Sequence, residues 1–163
     1  GSYNKSQSNG DVRIWCDTVF YKNLELADII GTENDGYVDI IHVKRGFNGS
    51  VRDAASQLRN AMNTIESNLK LTGSPALSEY YDNLKSRGRI SAMAKNEFLD
   101  LFSHRIRRYV FAYITPREIT VDGVEAIGSS IAKSEAVALV GFAKQFSGKK
   151  TQLQFVHVKD ETV

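Results

Sequence analysis

Cysteine, proline and tryptophan are scarce in this chain, and several familiar signatures are missing. With one cysteine, Cys16, no internal disulfide can close, and one cysteine with three scattered histidines gives no zinc framework. The absence of a disulfide staple is compatible with a cytoplasmic setting. No apolar run is long enough to span a bilayer, and no signal peptide is visible. Gly-x-Ser-x-Gly is absent, which argues against a serine hydrolase of that type, and Gly-x-x-x-x-Gly-Lys-[Ser/Thr] is absent, which excludes a P-loop. There is no internal repeat or low-complexity segment. The net charge of +2 favours no partner class by itself. An initiator methionine is also lacking. Gly1-Ser2 resembles a tag remnant, and the polar residues that follow predict a disordered lead-in over 1–10. The remaining 11–163 are enough for one domain with its own core, expected to be excised from a longer protein whose other domains are its partners.

What is present is organised around Leu24–Asn60. Leu24–Gly31 is rich in Leu and Ile and predicts a strand. Asn34-Asp35-Gly36 is a turn signal, because these residues tolerate positive φ, and Tyr37–Lys44 predicts the second strand of a hairpin. Side chains alternate faces along a strand. Val38, Ile40, His42 and Lys44 therefore share one face, with Asp39, Ile41 and Val43 on the other. In the first strand Leu24, Leu26, Asp28 and Ile30 share a face, which sends Glu25 the opposite way. Asp28, His42 and Lys44 converge if the two strands turn those faces together. Ser50, with Asp53 three residues on, resembles a capping box. Val51, Ala54, Ala55, Leu58, Met62, Ile65 and Leu69 follow at helical spacing, with Gln57 flanking that stripe.

An Asp late in one strand, a polar-x-Lys pair in the next and a Gln on the following helix together resemble the metal-binding core of the PD-(D/E)XK, or restriction-endonuclease-like, nucleases. The strings Glu25-Leu26-Ala27-Asp28, Ile41-His42-Val43-Lys44 and Gln57-Leu58-Arg59-Asn60 further resemble a divergent bacterial branch associated with DNA processing or defence. The resemblance covers roughly the first half of the chain. It implies that Asp28 binds a divalent cation, Mg²⁺ or Mn²⁺, that Lys44 orients the attacking water or offsets charge on the phosphate, and that Gln57 supports the site. His42 stands where the family has an acidic residue. It is read as a ligand that would suit Mn²⁺ better than Mg²⁺, as a general base, or as a satisfied sheet histidine. Asp17 is either a further acidic group near the site or a turn residue. A lysine within an apolar strand calls for a partner, and Asp28 is the candidate.

Along the rest of the chain, Val12–Val19 predicts a strand-like lead-in. Thr72–Pro75 is a break. A short helix over Ser78–Leu84, with Tyr80, Tyr81 and Leu84 on one side, and a second over Ala92–Phe102, capped by Ser91, form a helical insert. Arg107–Thr115 is almost wholly aromatic and β-branched, as expected of a strand buried on both faces, and Pro116 ends it. Glu118–Ser130 is an irregular link. Ile131–Phe146 is an amphipathic helix stopped by Gly148, and Gln152–Val158 alternates as an exposed edge strand would. The order implies an α/β fold: a mixed central β-sheet flanked by helices, restriction-endonuclease-like, with a helical insert.

Lys85, Arg87, Arg89, Lys95, Arg105, Arg107 and Arg108 fall in one stretch against Glu97 and Asp100. Such a bias suits a polyanion, with Arg87, Arg89, Arg105, Arg107 and Arg108 as candidate phosphate contacts, or forms a solvated charged face. The expected function is that of a metal-dependent endonuclease acting on DNA, or on RNA. The alternatives are an inactive nucleic-acid-binding module and a protein-interaction domain on the same fold. A homodimer is left open.

Overall fold

Val38, Ile40 and His42 are buried along one face of a nine-residue strand, while Asp39, Ile41 and Val43 alternate with them on the other and are only half-buried. That strand, Tyr37–Arg45, is β5 and the middle of the main sheet. The computed structural model describes residues 12–33, 36–46, 51–115, 130–146 and 150–160, without the side chains of 130 and 131. The expected disordered lead-in over 1–10, the Asn34-Asp35 turn, the Ser50 cap, all of the Glu118–Ser130 link but its last residue, and the Gly148 stop lie outside those residues. The other strands are β1 (Arg13–Trp15), β2 (Phe20–Tyr21), β3 (Leu24–Glu25), β4 (Ile29–Gly31), β6 (Ile106–Thr115) and β7 (Thr151–Lys159). The helices are α1 (Val51–Asn68), α2 (Pro75–Ser86), α3 (Lys95–His104) and α4 (Ser130–Ala143), the last running into a 3₁₀ turn over Lys144–Phe146.

The sheet has the order β1-β4-β5-β6-β7. β1 with β4, and β4 with β5, are antiparallel, whereas β5 with β6 and β6 with β7 are parallel. The sheet is therefore mixed, and helices flank it, as expected. Parallel neighbours need long crossovers. α1, α2 and α3 lie in the chain between β5 and β6, and α4 between β6 and β7. β6 is buried over most of its length between two neighbours, and β7 is an edge strand with no residue fully buried. The α1 stripe Val51, Ala54, Ala55, Leu58, Met62 and Ile65 is buried in one core with Val38, Ile40, Tyr109 and Phe111 of the sheet. Tyr80, Tyr81 and Leu84 of α2, and Phe98 and Phe102 of α3, join the same core.

The predicted strand Leu24–Gly31 is in fact two. β3 pairs with β2 in a separate two-stranded ribbon, and β4 pairs with β1 and β5 in the main sheet. Leu26 and Ala27 between them are both buried, which adjacent residues on a strand with one wet face cannot be. The ribbon's turn is Lys22-Asn23, with φ of 45° and 65°, the left-handed pair that a two-residue hairpin loop requires.

The α2 helix starts earlier than its periodicity suggests, with Pro75 in its first turn, where a missing N–H costs nothing. Its open N–H groups are met from outside. Oδ1 of the buried Asn68 accepts from Ala76 N–H at 2.9 Å and from Leu77 N–H at 3.4 Å. Asn68→Ala is expected to cost about 1–2 kcal/mol by stranding those donors. The measure is a lower midpoint of denaturant unfolding at unchanged slope, and a loss under a few tenths would refute the cap. The α3 helix begins at Lys95 rather than Ala92, where Glu97 Oε2 accepts from Ala94 N–H at 2.8 Å.

Candidate metal centre

A β-turn follows β1. Val19 N–H donates to Cys16 O at 2.8 Å, with Thr18 in the left-handed region at φ 65°. The turn presents Asp17 and is tied to the start of β4, since Cys16 N–H and Asp17 N–H both donate to Asp28 O at 2.8 and 3.1 Å. Asp28 in turn is fixed to β5: its N–H donates to Ile41 O at 2.9 Å, and the next donor along β5, Val43 N–H, is taken by Asp28 Oδ2 at 2.5 Å. Glu25 Oε1 accepts from Thr18 N–H at 2.8 Å, which draws the end of β3 toward the same turn. Asp17, Glu25 and Asp28 each have a carboxylate oxygen within 4.8 Å of those of the other two.

This corrects the expectation that Glu25 faces away from Asp28. Strand alternation would separate them, but the chain leaves strand geometry at Leu26-Ala27, and the corner turns both carboxylates to one side. Asp17 has both of its readings at once, as turn residue and as acidic neighbour.

Burial raises the Asp28 pKa to about 6, and the Glu25 and Asp17 carboxylates push in the same direction. The Val43 N–H and the Lys44 ammonium oppose the rise. Lys44 lies half-buried near the end of β5. The donor set fits a hard divalent ion: three carboxylates on a common space, all oxygen.

His42 shares the β5 face with Lys44, but its ring is not part of the carboxylate cluster. It is 2% exposed, and its Nε2 lies 3.1 Å from Leu26 O. Burial lowers its pKa to about 4, so the ring is neutral near pH 7 and Nε2 carries the proton it donates to that carbonyl. Nδ1 has no hydrogen-bond partner among the described residues. Of the three readings of His42, the hydrogen-bonded sheet histidine describes this placement. Its donated proton holds the corner between Glu25 and Asp28. Gln57 is exposed on α1.

The basic stretch is less available than its charge suggests. Arg107 is 6% exposed, and its Nε and Nη2 bind Glu66 of α1 at 2.5 and 3.0 Å while Nη1 donates to Phe102 O at 2.6 Å. Arg107 is therefore no surface phosphate contact. Arg108 is bidentate to Asp39 at 2.6 and 2.8 Å and lies over the Tyr37 ring. Arg105 Nη1 donates to Thr32 O at 3.0 Å. Arg89 stacks 3.9 Å over the Trp15 ring, and Arg87 is exposed at the end of α2. A strand's arginines count toward a polyanion surface only when their acidic partners are known, and here Glu66 and Asp39 lie 41 and 69 residues away.

No family model, curated protein or solved structure matches the chain. No helix among the described residues is long and apolar enough to cross a membrane.

Proposed function

We propose that the chain is a metal-dependent nuclease domain of the restriction-endonuclease-like kind that hydrolyses phosphodiester bonds in DNA or RNA. The observation that carries this reading is the grouping of the Asp17, Glu25 and Asp28 carboxylates at the edge of a mixed sheet, with the Lys44 charge opposing the rise in the Asp28 pKa. The acidic group that His42 fails to supply in the His42-Val43-Lys44 triplet is offset by Asp17 and Glu25, which reach Asp28 from other segments.

In this reading Asp17, Glu25 and Asp28 hold Mg²⁺ or Mn²⁺, and the three-oxygen donor set removes the reason to expect a preference for Mn²⁺ through His42. Such an ion, when bound, supplies Lewis acidity and a more acidic water. The protein's own part is positioning. Val43 N–H fixes Asp28 Oδ2, and Thr18 N–H fixes Glu25 Oε1, so the carboxylates keep one arrangement. In this reading Lys44 offsets charge that grows on the phosphate oxygens. The rival reading, a binding module that uses Arg105, Arg107 and Arg108, is weakened by the internal partners of those residues.

The test is cleavage of plasmid and of labelled oligonucleotides with Mg²⁺, Mn²⁺ or EDTA. Wild type should cut with either cation and not in EDTA. Lys44→Ala should lower the rate about a hundredfold or more by removing one charge-stabilising group. Cleavage that survives Asp28→Ala, or that persists in EDTA, overturns the assignment.

A further inference from the structure

The ribbon β2–β3 sets an exposed aromatic ring next to the carboxylates. In its register Phe20 pairs with Glu25 and Tyr21 with Leu24. Residues directly opposite on antiparallel strands share a face, with Cβ atoms about 5 Å apart. Tyr21 and Leu24 form the inner face, packed against the core. Phe20 and Glu25 form the outer face, where Phe20 is 46% exposed and Glu25 joins Asp17 and Asp28.

The ribbon is held in place. Asn83 Nδ2 of α2 donates to Phe20 O at 3.0 Å, the Lys22-Asn23 turn fixes the strand pairing, and Thr18 N–H binds Glu25. A single exposed phenylalanine on a protein surface needs no explanation. One that is fastened at its own carbonyl and faces outward beside a three-carboxylate cluster has a definite geometry toward whatever the cluster handles. Lys22 at the ribbon's tip lies over the Tyr21 ring at 5.3 Å.

From this we infer that the site takes single-stranded nucleic acid, with an unpaired base stacked on Phe20. The inference rests on the nuclease reading and specifies its substrate class. A base in a duplex has both faces covered by its neighbours and cannot lie on an aromatic ring without leaving the stack, whereas an unpaired base can. The contact is indifferent to base identity, since every base has a π-face, and it does not distinguish DNA from RNA.

The test compares wild type, Phe20→Ala and Phe20→Trp. Each is titrated by fluorescence anisotropy with labelled dT12, rU12 and a dT12–dA12 duplex in Ca²⁺, and assayed for cleavage of the same strands in Mn²⁺. Phe20→Ala should weaken dT12 binding about tenfold or more, by loss of one stacked base, and leave duplex binding unchanged. Phe20→Trp should restore single-strand affinity, and its added fluorescence should be quenched by dT12 beyond what Trp15 alone gives. The rU12 arm tells whether RNA is taken as well as DNA. Thermal unfolding of both variants should match wild type, because the ring is exposed. Equal single-strand affinity for wild type and Phe20→Ala overturns the inference while leaving the nuclease reading intact if wild type cuts. Preference for duplex overturns it too. A wild type that neither binds nor cuts any of the three overturns both.

Discussion

Replacing Arg107 by alanine should remove about 3–5 kcal/mol of stability, because it leaves the Glu66 carboxylate charged and unpaired inside the protein. Glu66 is 4% exposed and accepts from Arg107 through both oxygens, with Tyr109 Oη donating to Oε1 at 3.0 Å. Burial raises the Tyr109 pKa well above its usual value, with the Glu66 charge acting in the same direction, so the phenol stays a donor. Glu66→Ala should cost a similar amount by stranding the guanidinium, whose remaining acceptors are carbonyls such as Phe102 O. The two losses should not add. The double variant Glu66→Met with Arg107→Met removes both charges and keeps apolar volume, and it should recover most of the stability. A pH series separates this from simple loss of packing. In Arg107→Ala the Glu66 charge is held inside without its guanidinium partner, a cost present only while the carboxylate is charged. Arg107→Ala should therefore approach wild type at low pH and fall furthest behind it near neutrality. Urea midpoints at pH 5 and pH 7 give the answer. A loss under 1 kcal/mol at pH 7 would mean that the network carries little.

The same network shows which parts of the molecule could be read from sequence. Elements with their own period were legible. The α1 stripe, the alternation of β5, the unbroken apolar run of β6 and the edge pattern of β7 each follow from burial on one or both faces, and each stands where its pattern puts it. The place of Lys44 on β5, on the face of His42, was legible for the same reason, since strand alternation fixes it.

What could not be read depends on groups distant in sequence. Arg107 looks like a surface cation until Glu66 is known to lie beneath it. The break at Leu26-Ala27 is invisible because Leu and Ala suit a buried corner as well as a strand. The deciding interactions are backbone bonds from Cys16 and Asp17 to Asp28 O, and the His42 bond to Leu26 O. With the break unseen, Glu25 is sent to the wrong face. A local signal did exist. Lys22-Asn23 between Phe20-Tyr21 and Leu24-Glu25 is a two-residue turn that a hairpin needs, and it marks the end of β3's partnership before Leu26. For His42 the position along β5 was correct, and only the direction of the ring distinguishes a metal ligand from a donor to a carbonyl.

Asp28→Asn should stabilise the protein above pH 6 when no divalent cation is present, although it removes the central carboxylate of the proposed site. The folded pKa of Asp28 is about 6, raised by burial and then by Glu25 and Asp17 above the unfolded value of about 3.9. A carboxyl with a raised folded pKa favours folding in its protonated form. Its contribution is complete below the unfolded pKa and disappears as pH climbs through the folded one, so at pH 8 the charged group burdens the fold. Asparagine keeps an oxygen for Val43 N–H and carries no charge. After discounting for the part of Asp28 that solvent still reaches, the gain at pH 8 in EDTA should be about 1–2 kcal/mol, vanishing near pH 4. Adding Mn²⁺ or Mg²⁺ should reverse the order. Wild type gains stability from a cation that binds only the folded form, about 2.7 kcal/mol at a hundredfold excess over the dissociation constant. Asp28→Asn, with two carboxylates in place of three, should gain little and should not cut nucleic acid. Thermal unfolding of both proteins at pH 4, 6 and 8, with EDTA or cation, separates the two parts of the claim. A variant less stable than wild type at pH 8 in EDTA would show that the three carboxylates do not burden one another. A variant that still responds fully to the cation would move the ion away from Asp28.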